Sequence, residues 1–130
     1  MDKLQIHQFN PEIYPRKIWV VKGGSLKQII EMFVQADGKE LDLSDVGKYD
    51  AVTCNVMMRE KPHSFGELIW YPKISKMNTE TIAHESVHAA MDIFDDVHCD
   101  VDVNNQEPFA YLVGWIADCI DQVKRNKFKL

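Results

Sequence analysis

Paired cysteines, long apolar runs and an excess of basic charge are all missing from this chain of 130 residues. Its three cysteines, Cys54, Cys99 and Cys119, are an odd number with no C-x-x-C spacing. That pattern argues against a disulfide framework and for reduced thiols in the cytoplasm. No apolar run is long enough to span a bilayer, so no membrane association is expected. The segment from Met1 to Pro15 lacks the apolar core of a signal peptide. The formal net charge of −5 argues against a nucleic-acid partner, which calls for a basic face. The one basic cluster, Lys124, Arg125, Lys127 and Lys129, reads as a solvated helix end. Gly23-Gly24 matches neither the G-x-x-x-x-G-K-[ST] nor the G-x-G-x-x-G pattern, which leaves a plain turn rather than a phosphate loop. Neither an internal repeat nor a low-complexity linker divides the chain.

With 45% hydrophobic and 27% charged residues, the chain has the balance of a globular protein and the length of one domain, residues 1–130. The first fifteen residues, with Pro11 and Pro15, read as an irregular lead-in. Lys17 to Lys22 (KIWVVK) is a short β-branched run and a buried strand. Ser25 caps a following helix, with Gln28 at the reciprocal position of a capping box. Leu26, Ile29, Ile30, Phe33 and Val34 form its apolar face. Lys39 to Asp50 is polar and loop-like.

Ala51 to Met58 alternates, with Val52, Cys54, Val56 and Met58 on one face and Thr53 and Asn55 on the other, as in a half-buried strand. Gly66 to Tyr71 (GELIWY) is a second strand, antiparallel to it in a hairpin. Pro72 suits the end of an edge strand, a position from which an extended peptide can be bound by pairing. Asn78 caps a helix from Thr79 to about Val97, and Glu107 to about Lys124 is another long helix. The expected fold is α+β: a small sheet with an antiparallel hairpin packed on helices, two C-terminal helices carrying the functional residues.

Those functional residues are His84-Glu85-Ser86-Val87-His88, an H-E-x-x-H sequence within the first of the two helices. Residues four apart lie one turn apart, so both imidazoles leave the same face and can converge on one metal ion. Zinc hydrolysis needs that nitrogen pair, a third ligand and a carboxylate to activate water, for which Glu85 is placed. The third ligand has several candidates after His88: His98, Cys99, several aspartates and Glu107. A histidine six residues after the motif, as in metzincins, would fall at Phe94, which excludes that class.

His84-Glu85-x-x-His88 together with Glu107-Pro108-Phe109-Ala110-Tyr111 resembles the gluzincin metallopeptidases, the thermolysin-like group with a downstream glutamate on a second helix. The stretch from Thr79 to Cys119 also looks like small prophage proteins of this type. The resemblance covers roughly the C-terminal half of the chain. It implies a zincin-like fold and a Zn2+ cofactor held by His84, His88 and Glu107. Glu85 would be the general base and a peptide or protein the substrate. Where many gluzincins carry an aspartate four residues after the ligand glutamate, this chain departs and has Tyr111, which shares a helix face with Glu107 and is a candidate hydrogen-bond donor near the metal or to an oxyanion. His63 and His98 are further oxyanion candidates, read more simply as solvated loop histidines. Ala89, Ala90, Ala110 and Gly114 are expected to let the two helices approach closely. The alternative to a peptidase is a zincin-like binding or regulatory module of phage origin with no catalysis.

Overall fold

The computed structural model describes residues 2–44 and 47–126; Lys127 and Lys129 of the basic cluster lie outside them. The fold is α+β, a five-stranded mixed sheet with three helices. The strands are β1 (Gln5–Phe9), β2 (Lys17–Lys22), β3 (Phe33–Val34), β4 (Val52–Met58) and β5 (Phe65–Tyr71), in spatial order β1-β2-β5-β4-β3. The helices are α1 (Leu26–Met32), α2 (Thr79–Asp96) and α3 (Glu107–Arg125). No helix among the described residues is long and apolar enough to cross a membrane.

The sheet is buried on both faces. Ile18, Val20, Ile69 and Tyr71 pack under α2 and α3 with Ala89, Ile93, Ile116 and Ile120. Trp19, Val21, Leu68 and Trp70 point the other way, toward Ile29 of α1, Phe33 and Leu41. Trp19, Trp70 and Tyr71 are therefore core residues. Strands covered on both faces read as continuous apolar runs, which is what KIWVVK and LIWY are.

Local capping chemistry decides where the helices begin and end. The Ser25 hydroxyl accepts from Gln28 N–H, and the Gln28 amide oxygen accepts from Ser25 N–H at 2.9 Å. Asn78 accepts from Thr81 N–H at 3.0 Å, and Thr81 Oγ1 takes the Asn78 N–H at 3.1 Å. Each exchange satisfies two amides that a helix start leaves unpaired. At the far end of α2, His98 sits in the left-handed region at φ 59. Its N–H donates to Asp95 and that of Cys99 to Phe94, a Schellman closure. At Gly23, φ +76 and the Lys3 carbonyl lying where a Cβ would stand both require glycine at the turn after β2.

The structure departs from the sequence reading at three places. Gln5–Phe9 is a strand, antiparallel to β2, rather than part of an irregular lead-in. Phe33 and Val34 leave the helix and pair with Met58 and Met57. GELIWY is antiparallel to β4 as expected, but it also pairs in parallel with β2, which makes β5 the centre of the sheet and not an edge. Edge pairing of a peptide on β5 is thereby excluded.

Candidate metal centre

Helix α2 lies across the sheet with the H-E-x-x-H sequence near its middle. At about 100° per residue, His84 and His88 project within about 40° of each other, while Ile82, Ala89 and Ile93 cluster on the opposite side. The apolar side is buried and the histidines are exposed. Glu85 falls between the two sides and is 8% exposed.

The three side chains form a close group. His84 Nε2 and His88 Nε2 are 3.1 Å apart, with the rings at an edge-on angle of 74°. Glu85 Oε1 accepts a 2.7 Å hydrogen bond from the Thr53 hydroxyl, and Oε2 lies 3.7 Å from His84 Nε2. Thr53 is on β4, on the face of that strand turned toward α2. The sheet therefore fixes one oxygen of the carboxylate and leaves the other beside the imidazoles.

These groups line a cavity of about 490 Å³ with Asp42, Leu43, Tyr49, Asp50, Ala51, Val52, Glu80 and Thr81. The buried Tyr71 phenol is held above its ordinary pKa, chiefly by burial and further by the Glu85 charge, against a hydrogen bond with Thr81 that lowers it. Zinc–nitrogen bonds of about 2.0–2.1 Å at a tetrahedral angle put two ligand nitrogens about 3.3 Å apart. The His84–His88 separation fits that edge, and imidazole nitrogens are donors of the kind zinc takes.

The other expected site residues lie elsewhere. Glu107 is exposed at the first position of α3 and does not line the cavity. Among the described residues, no group of three or more His, Cys, Asp or Glu side chains is arranged to hold a metal ion. The reason is how the helices pack. Phe109, two residues after Glu107, stacks edge-on against Phe94 with ring centroids 5.4 Å apart. Phe94 is six residues past His88, about 9 Å further along α2, and the histidines face away from the buried side. Tyr111 is 74% exposed and lines a separate groove with Asn10 to Tyr14, Pro108, Leu112 and Trp115.

His63 Nδ1 donates to the Met58 carbonyl at 3.1 Å and His98 closes α2, so both serve the backbone. Ala89 and Ala90 are fully buried, as expected of close-packing residues. Ala110 is exposed, and Gly114 has nothing within 4 Å of a Cβ.

One buried group had no warning in the sequence. Glu67 of β5 is 0% exposed and faces α2 beside Asp92 and Asp96. With the Asn55 amide turned so that its nitrogen faces the carboxylates, it donates to Glu67 Oε2 and to Asp96 Oδ2. Arg16 Nε donates to the same Asp96 Oδ2 at 3.3 Å. Burial, with Asp92 and then Asp96 adding to it, pushes the Glu67 pKa up to about 11, so the side chain is a neutral acid at pH 7. Cys54 is likewise pushed up to about 12, first by burial and then by Glu67 and Asp92, and Cys119 to about 12, chiefly by burial. Neither is a thiolate nucleophile at neutral pH.

No protein-family model, curated protein or solved structure matches the chain.

Proposed function

We propose that the protein is a zinc-dependent hydrolase of the metallopeptidase type, with His84 and His88 as two of the metal ligands, the third not among the side chains gathered with them, and Glu85 as general base. The observation that carries this reading is the meeting of the two imidazole nitrogens at 3.1 Å beside a carboxylate oriented by Thr53. His84 and His88 would hold a zinc ion, whose chemistry there would be that of a Lewis acid that makes water a nucleophile at neutral pH. Glu85 Oε2 is the oxygen left to take the proton of the attacking water and return it to the leaving nitrogen. Oε1 keeps its bond to Thr53 throughout, which stops the carboxylate from turning away. The substrate is a peptide or protein, bound in the cavity that Tyr49, Asp50 and Glu80 line with the histidines. Reduced thiols agree with a cytoplasmic setting.

A zincin-like binding module without catalysis is the second reading, and the position of Glu107 outside the cavity favours it. The two readings are separated by hydrolysis of unstructured protein substrates. Zinc-loaded protein is expected to cleave them, to lose cleavage on removal of the metal by a chelator, and to recover it with added zinc. Cleavage unaffected by the chelator would refute the metal assignment, and no cleavage by a protein carrying zinc would favour the binding module.

A further inference from the structure

The His84–His88 pair, 3.1 Å apart, offers two ligands where zinc needs three, and no third converges on it from the described residues of its own chain. The face of α2 that carries the pair also carries an acid. At about 100° per residue, His84, His88, Met91 and Asp95 fall within about 60° of arc. Asp95 is seven residues past His88, about 10 Å along the axis, which is too far for a zinc–oxygen bond of about 2 Å within one chain.

Asp95 has no task in its own fold. Asp92 faces Glu67, and Asp96 is held by Asn55 and Arg16. Asp95 is exposed, and its carboxylate has no hydrogen-bond or ion-pair partner among the described residues. It stands in the last turn of α2, which holds no basic residue, and there the helix dipole opposes a negative charge. Val87 and Met91, on one flank of the histidines, are large apolar side chains left to solvent. Thr81 and Glu85 lie on the other flank, toward the cavity.

We propose that a second copy of this chain supplies the third ligand: two α2 helices pack antiparallel about a two-fold axis at Met91, and Asp95 of the partner subunit meets the His84–His88 pair. The proposal deepens the hydrolase reading and rests on it for the metal. A two-fold contact is reciprocal, so a residue a given number of places after the axis faces one as many places before it. An axis at Met91 sets the partner's Asp95 opposite Val87, in the turn that joins His84 to His88, and builds the same site again at the other end. Met91 is covered by its own counterpart, and the Glu85 flank stays on the open side. Facing helices hold metals in this way in helical bundles.

The test is zinc content and sedimentation mass, measured on the same samples. Zinc-loaded wild type is expected to carry about one zinc per chain and to sediment at about twice the 15.1 kDa of one chain. Asp95→Ala and His88→Ala are each expected to lose the zinc. Refolded together in equal amounts, the two variants are expected to recover about one zinc per four chains, because about half of the dimers are mixed and each mixed dimer has one complete site. Met91→Lys is expected to lose dimer and zinc together while its circular dichroism stays that of the wild type. A wild-type monomer that binds zinc in full, zinc undiminished in Asp95→Ala, or no recovery in the mixed variants would overturn the proposal and leave the hydrolase reading standing. A wild type that takes no zinc would refute the hydrolase reading itself, and the proposal with it.

Discussion

Glu85→Gln is expected to lower turnover by about a hundredfold to ten-thousandfold while zinc stays bound, the loss typical of a removed general acid or base. The substitution separates chemistry from structure because of how Glu85 is held. Its Oε1 accepts from the Thr53 hydroxyl at 2.7 Å, and the glutamine carbonyl accepts the same bond. The packing between β4 and α2 is thus kept, and stability is expected to change by no more than about 1 kcal/mol. Glu85→Ala is the poorer test, since it leaves a part-buried hydroxyl without its partner and opens a void. Turnover measured on zinc-loaded protein, with melting and zinc content measured in parallel, checks the prediction. A Glu85→Gln protein that cleaves at the wild-type rate would remove Glu85 from the mechanism. A Glu85→Gln protein that has lost its zinc would make Glu85 a ligand instead of a base.

The second large effect lies in the sheet and concerns stability. Glu67→Gln is expected to stabilise the protein by about 1–3 kcal/mol at pH 7. In the folded chain the Glu67 pKa is raised from 4.5 to about 11, so folding holds a proton that the unfolded chain releases. The stability this group permits is complete below pH 4.5 and declines as the pH rises toward 11. The slope over that window is about 1.4 kcal/mol per pH unit at most. Glutamine keeps the shape and the bonding: its oxygen takes the Asn55 amide, its nitrogen faces Asp92, and no proton is needed. The advantage of Glu67→Gln should therefore be near zero at pH 4.5 and widen toward pH 9. Urea unfolding of both proteins across this range reads the effect directly. A variant less stable than wild type at pH 8, or one with the same pH slope, would contradict the neutral, buried state of Glu67.

How far the sequence carried depends on how local each signal was. The Ser25–Gln28 capping box and the Asn78 cap were legible, because such caps need only residues within one turn, and the helices start where those residues stand; the reciprocal bond of Thr81 to Asn78 came only with the structure. The H-E-x-x-H geometry was legible for the same reason, since one helical turn brings His84 to His88 whatever surrounds it. Non-local facts were harder to read. Gln5–Phe9 is an edge strand with four of its five residues only half-buried, and its polar composition hid it. GELIWY read as an edge strand because Pro72 follows it, yet its nearly unbroken apolar run is the mark of a central strand. Glu67 within that run is an acid at a position of complete burial, which alternation could not reveal without knowing that both faces are covered. Thr53 was assigned to the right face of its strand, but only the register of β4 on β5, with Thr53 opposite Ile69, brings it under α2 and against Glu85.

The placement of Glu107 is the clearest boundary of local reasoning. Spacing allowed the start of α3 to come back beside the histidines. The stacking of Phe109 on Phe94 instead seats that start beyond them, and the polar face of α2 looks away from the helix pair. Tyr111, one turn further along α3, follows Glu107 away from the cavity and faces the segment before β2.

Metal content after saturation with zinc and removal of excess, measured on wild type and on His88→Ala and Glu107→Ala variants, tests the central claim most directly. The account predicts about one zinc per chain in the wild type, as one H-E-x-x-H pair implies, its loss in His88→Ala, and its retention in Glu107→Ala. No zinc in the wild type, or zinc undiminished in His88→Ala, would contradict it.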